Sequence, residues 1–152
     1  MTMTATTRSL AAIGLLAAAP LLSAASPAGG EVVIDVTNLR SAKGVVLACM
    51  TTNPKIFPKC RKDPNSYSAK VAAGSAGKLT FKGVKPGRYA IALLHDENSN
   101  GKADRALSMI PKEGFGFSRD AKVRMGPPSF KSAAFDYAGS GTRMTIKMRY
   151  ML

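Results

Sequence analysis

The sequence predicts an all-β fold, an antiparallel β-sandwich of about seven strands. Three observations carry that prediction. Beyond residue 30, apolar side chains recur with the period of two that marks a strand with one buried face. The alternating runs are short and are separated by turns rich in Gly, Pro and Asn. No stretch of this part of the chain sustains a helical stripe. Of the 152 residues 45% are hydrophobic, enough for a single core, and neither a repeat nor a linker divides the chain.

The first 25 residues are read apart from the fold. Arg8 precedes an apolar run from Leu10 to Leu22, and small residues follow at Ser23 and Ala25. A charged start, a short apolar centre and an A-x-A-like end are the marks of a secretory signal peptide. The run is broken by Gly14 and Pro20 and is short for a span of about 20 apolar residues. The expected organisation is a signal peptide over 1–25, a short tail over 26–30 and one β-sandwich domain over 31–152, periplasmic or secreted.

In "EVVIDVTN" Val32, Ile34 and Val36 alternate with Val33, Asp35 and Thr37, which makes the first strand. "GVVLACM" (44–50) is the second, ending at Cys49, and a loop rich in Pro, Lys and Asn runs to about Ser66. "YSAKVAA" is a third, weaker strand, and "GKLTFKGV" (77–84) sets Leu79 and Phe81 on one face against Lys78, Thr80 and Lys82. A Pro-Gly turn launches "KPGRYAIALLH", with Tyr89, Ile91 and Leu93 on a shared face. "SFKSAAFDYAG" is expected to be a strand centred on Phe135 and Tyr137. In "TRMTIKMRY" Met144, Ile146, Met148 and Tyr150 are expected inward and Arg143, Thr145, Lys147 and Arg149 outward. Residues 95 to about 128 are dense in Gly and Pro; such a long insertion in a compact domain is usually functional or disordered. Phe115, Phe117 and Phe130 argue against disorder.

Export makes a structural disulfide the expected state of Cys49 and Cys60, the only two cysteines. There is no C-x-x-C, and the single histidine is distant in sequence. The formal net charge is +13, and loss of Arg8 with the signal peptide leaves 21 basic against nine acidic residues, about +12. That balance favours anionic partners such as envelope polymers. The basic residues are scattered and not interleaved with aromatics, and Trp is absent, so a specific nucleic-acid surface is not expected.

The segment "HDENSNGKAD" (95–104) gathers oxygen-bearing side chains just after an apolar strand. A calcium loop places side-chain oxygens at positions one, three and five, a glycine at six, a main-chain carbonyl at seven and another oxygen at nine. Counted from Asp96, these fall on Asp96, Asn98, Asn100, Gly101, Lys102 and Asp104. Position twelve, normally a bidentate Glu, is Leu107, and no helix flanks the loop; Glu97 or Glu113 could supply the missing carboxylate. The alternative is a plain turn, since Asn and Gly accept positive φ and Asn bonds to its own backbone. A Ca²⁺ ion here would pin the loop rather than carry out chemistry, and would bind weakly.

Signals for catalysis are sparse. His95 is the one candidate general base, with Asp96 or Glu113 as a carboxylate partner in a hydrolase. Ser118 and Asp120 could accompany it, but no G-x-S-x-G elbow surrounds them.

Four motifs in order, "PGRYAIALLHDENSNGKAD", "IPKEGFGFS", "GPPSFKSAAFDY" and "TIKMRY", resemble those of domain of unknown function 2141, a family of small exported bacterial proteins. The resemblance runs from about Val32 to Tyr150 and implies an all-β sandwich of immunoglobulin or transthyretin type, with no established activity. It places the family's acidic loop on His95, Asp96, Glu97, Asn98, Asn100, Gly101 and Asp104. Its aromatic-glycine loop falls on Pro111, Glu113, Gly114, Phe115, Gly116, Phe117 and Ser118, and its proline turn on Pro127, Pro128 and Phe130. One departure is "ALSMIPKEG", with Met109 where the family carries a Gly-containing step. The acidic and aromatic-glycine loops are expected together at one end of the sandwich. The resulting expectation is a non-enzymatic envelope module of binding or structural role.

Overall fold

The computed structural model describes residues 29–106 and 110–152. The segment expected to be a signal peptide (1–25), Leu107 and Met109 lie outside the described residues. The chain forms β1 (Gly30–Thr37), β2 (Val45–Thr51), β3 (Tyr67–Ala72), β4 (Lys78–Val84), β5 (Gly87–Asp96), β6 (Arg105–Ala106), β7 (Ile110–Pro111), β8 (Gly114–Phe117), a single helical turn α1 (Phe130–Ala133), β9 (Phe135–Tyr137) and β10 (Thr142–Lys147). Among the described residues no helix is long and apolar enough to cross a membrane.

The expected alternation is present. Val32, Ile34, Val36, Leu79, Phe81 and Ile146 come from the sheet ordered β10-β1-β4. They share one core with Ala48, Met50, Tyr89, Ile91 and Leu93 of the sheet ordered β3-β2-β5-β8. Ile34, Ile91 and Ile146 are fully buried, and such burial contributes about 1.5–3 kcal/mol per side chain. Met144 and Tyr150, expected inward, are half-buried at the margin.

Four features differ from the sequence reading. The sandwich is not wholly antiparallel: β1 pairs with β10 in parallel, Ile34 opposite Met144, and with β4 antiparallel. First and last strands have no connecting loop between them, so either direction closes this edge, and alternation is blind to direction. "SFKSAAFDYAG" is only half strand, because Ser129 caps the turn α1 by accepting the Ser132 N–H, and pairing starts at Phe135. The stretch from 95 to 128 contains a true strand, β8, and the two-stranded ribbon β6–β7. Finally, β5 is buried on both faces: Tyr89, Ile91 and Leu93 face the core, and Ala90 and Ala92 face a second cluster with Cys49, Cys60, Phe117, Ala121 and Ala133.

That second cluster explains the cysteine loop. Cys49 projects from the outer face of β2 and is bonded to Cys60 across a separation of 11 residues. The bridge holds the loop over the sheet, where Phe57 packs edge-on against Phe117 and Phe130, with ring centres 5.9 and 6.0 Å apart. The replacement of Cys49 and Cys60 together by Ser is expected to lower unfolding free energy by about 2–3 kcal/mol; denaturant unfolding of oxidised parent and variant measures the difference.

Candidate functional site

The candidate site grows from the end of β5, where alternation sends His95 to the inner face and Asp96 to the outer one. His95 is fully buried. Its Nε2 lies 2.9 Å from the Lys43 carbonyl oxygen and its Nδ1 2.7 Å from the Tyr150 hydroxyl. A carbonyl only accepts, so Nε2 carries a proton, and in the neutral imidazole Nδ1 accepts from Tyr150 O–H. The Tyr150 oxygen in turn accepts the Arg40 N–H at 3.2 Å. Both ring nitrogens are thereby used inside the protein. The imidazole lines neither of two surface hollows, of about 390 and 290 Å³, the first of them bordered by Phe115, Lys122, Arg124, Arg149 and Tyr150.

Around this histidine, Arg40 is the residue that sequence reasoning missed. Its guanidinium lies 4.5 Å from the centre of the Tyr150 ring. It donates to Glu97 Oε2, to the Lys112 carbonyl at 2.8 Å and to the Leu152 main-chain oxygen. Glu97 Oε1 also accepts from Ser41 O–H at 2.7 Å. The Arg40 hydrogen bonds, and then that of Ser41, hold the Glu97 carboxyl down at about 2. Arg40 stands in "TNLRSAKG", where no periodic or motif signal marks it; the one usable cue was the tyrosine ending the last alternating run.

The acidic loop is a compact turn built on Asp96. The buried Asp96 accepts the Asn100 N–H at Oδ1 (3.1 Å) and the Gly101 N–H at Oδ2 (2.7 Å). Gly101 has φ of +75°, a conformation that favours glycine. Asn98 and Asn100 donate their side-chain amides to Asp104 Oδ2 at 2.7 and 2.8 Å, and Asn100 Oδ1 accepts the Lys102 N–H at 2.8 Å. As they stand, no three His, Cys, Asp or Glu side chains among the described residues converge closely enough to hold a metal ion. The Lys102 side chain is exposed.

The two family loops meet, but only at one point. Glu113 Oε2 accepts the Asp104 N–H at 3.3 Å, and Lys112 N–H donates to the Asp104 carbonyl at 3.0 Å. Pro111 lies in β7 opposite Arg105. Glu113 is 5% exposed, and its Oε1 has no hydrogen-bond partner. Burial above all pushes its carboxyl up to about 7; the charges of Asp96 and Asp104 add to the effect and the Asp104 N–H opposes it.

From Gly114 onward the motif runs away from the acidic loop as β8. Gly114 and Gly116 face inward because a Cβ at 114 would strike the Tyr150 ring, and one at 116 would lie 2.8 Å from Ile146 Cγ2. Phe115 and Phe117 therefore face outward, where they fasten β8 to the second cluster. Ser118, at the far end, has its hydroxyl engaged both as donor and as acceptor. Its O–H donates to the Ala133 carbonyl at 2.6 Å, and its Oγ accepts the Ile91 N–H at 2.9 Å. It fills the point where β5 exchanges β8 for β9 as its neighbour. Asp120 is drawn off to Arg149. Pro128 is buried, Pro127 exposed, and Phe130 packs on Phe57.

Two outcomes follow from these partners. Ser118→Ala leaves the buried Ile91 N–H unpaired and is expected to cost about 1–3 kcal/mol in denaturant unfolding. The Glu97 carboxyl, depressed from 4.5 to about 2 in the folded chain, stabilises the fold above pH 4.5, and that contribution disappears as pH falls toward 2. Discounted for partial exposure it amounts to about 1 kcal/mol. Unfolding measured across that range is expected to show a shallower decline in Glu97→Gln than in the parent.

A family profile described as "uncharacterized protein conserved in bacteria" (DUF2141) matches residues 34–145. No curated protein and no solved structure matches the chain. The matched span runs from the middle of β1 into β10 and takes in the acidic and glycine-aromatic loops, and the chain belongs to the DUF2141 family.

Proposed function

We propose that this protein is an exported, non-catalytic binding module of the bacterial envelope, built on a sandwich of immunoglobulin or transthyretin type, whose lysine-bearing surface meets an anionic polymer. What supports the reading is where the acidic groups lie. Asp35, Glu97, Asp120 and Asp136 are engaged by Arg143, Arg40, Arg149 and Arg88, and Asp96, Asp104 and Glu113 are taken up in the loop network. Every lysine is exposed, and among the described residues none is in an ion pair. Among the described residues, the outer face of the β10-β1-β4 sheet, bearing Lys78, Lys82, Arg143 and Lys147, has no layer comparable to the loops that cover the other sheet. The signal-peptide motif supports export.

A hydrolase using His95 with Asp96 or Glu113 is the competing reading. What weighs against it is a fully buried imidazole with both nitrogens engaged, since a general base must reach the proton it removes.

Binding to an immobilised acidic polysaccharide is the test. Raising salt from 0.1 to 1 M shortens the Debye length from about 10 to about 3 Å, so affinity is expected to fall at least tenfold, and further when Lys78, Lys82 and Lys147 are all changed to Glu. Absent or salt-insensitive binding counts against the proposal.

A further inference from the structure

The loop after β5 gathers three carboxylates that no cation engages directly among the described residues. Asp96 is fully buried, Glu113 is 5% exposed and Asp104 is half-buried. None of the three is in an ion pair among the described residues. Arg61 donates to the Gly101 carbonyl at 3.1 Å and Arg40 to the Lys112 carbonyl at 2.8 Å, and neither donates to one of these three carboxylates. Buried carboxylates are normally paired or bound to a metal, because charge without compensation is costly away from water. The Asp96 and Asp104 carboxylates each receive two hydrogen bonds. Glu113 receives one, at Oε2, and keeps Oε1 buried without a partner. That carboxylate is fastened to Asp104 and feels the charges of Asp96 and Asp104.

We propose that Glu113 completes a Ca²⁺ site in this loop. It supplies from β8's approach the carboxylate that a calcium loop takes from its twelfth position, where this chain has Leu107. Oxygens of Asp96, Asn98, Asn100, the Lys102 main chain, Asp104 and Glu113 make six ligand groups, or seven oxygens with Glu113 bidentate, within the six to eight that Ca²⁺ takes. Three carboxylates match a divalent cation. Ligand number and a flexible loop favour Ca²⁺ over the smaller Mg²⁺, which demands a rigid octahedron. The three carboxylates do not converge on one point in this structure; on binding they draw together, the amides of Asn98 and Asn100 turn their oxygens inward, and Asp104 exchanges two N–H donors for the ion. The ion ties the β5 end to the start of β8 across the β6–β7 ribbon. In a chain of formal charge +13, affinity belongs with extracellular modules, on the order of 10⁻⁴–10⁻³ M. The site is independent of the anionic-polymer reading: it governs stability, and that reading governs binding.

Thermal unfolding of the full chain in CaCl₂, MgCl₂ and NaCl at matched ionic strength, with calorimetric titration of Ca²⁺, tests the proposal. The parent is expected to gain about 4–8 °C in 10 mM Ca²⁺, with a smaller gain in Mg²⁺. Glu113→Gln keeps the side chain's shape and removes its charge. Without metal it is expected to melt at or above the parent temperature, and with metal to lose the gain and bind at least tenfold more weakly. A merely structural Glu113 would instead lower the metal-free melting point and leave the Ca²⁺ response intact, which overturns the proposal. So does a parent that neither binds Ca²⁺ nor responds to it more than to Mg²⁺. If Glu113→Gln fails to fold, Asp104→Asn takes its place with the same expected loss and the same contrary result.

Discussion

Strand β5 is the constraint on which the rest depends. It is paired along one edge by β2 and along the other by β8 and then β9, and it is covered on both faces. A strand so enclosed cannot shift by one residue without exchanging its two faces. The core side holds bulky Tyr89, Ile91 and Leu93, and the outer side small Ala90 and Ala92, so the two sets cannot trade places. The register of β5 therefore fixes where its end falls. His95 is delivered beneath Tyr150 and Asp96 into the base of the turn.

The corner beyond that end is built from interactions that each use up a reactive group. The histidine is held by a carbonyl and a phenol, and Glu97 by Arg40 and Ser41. The serine of the glycine-aromatic motif closes a gap in a β-ladder. Chemistry at a catalytic centre requires groups left free to meet a substrate. Here the histidine and the serine are held by partners within the protein, whereas Glu113 Oε1 has none among the described residues.

Strand alternation made much of this legible. It placed Val32, Ile34, Leu79, Phe81, Ile91 and Ile146 in the core, put His95 on their face and identified the acidic turn. The expectation of export pointed to the cysteine pair, which is bonded. What escaped has definite physical causes. The parallel pairing of β1 with β10 depends on chain direction, which a period of two does not encode. The second cluster arises from alanines, too small to register as an apolar stripe, and from loop aromatics whose partner was another loop. In "GFGF" no local pattern names what the glycines approach; they are clearances for Tyr150 and Ile146. Arg40 acts through contacts with residues 57 to 112 positions away in sequence, beyond the reach of any local pattern.

The claim that this corner is architecture and not a reaction centre is tested most directly at its one histidine. Because the chain has a single His, its imidazole ¹⁵N signals can be assigned without ambiguity. The account predicts one tautomer, protonated at Nε2 and bare at Nδ1, with slow exchange of the Nε2 proton. A rapid mixture of tautomers with fast solvent exchange would mean an open, available imidazole and would contradict it.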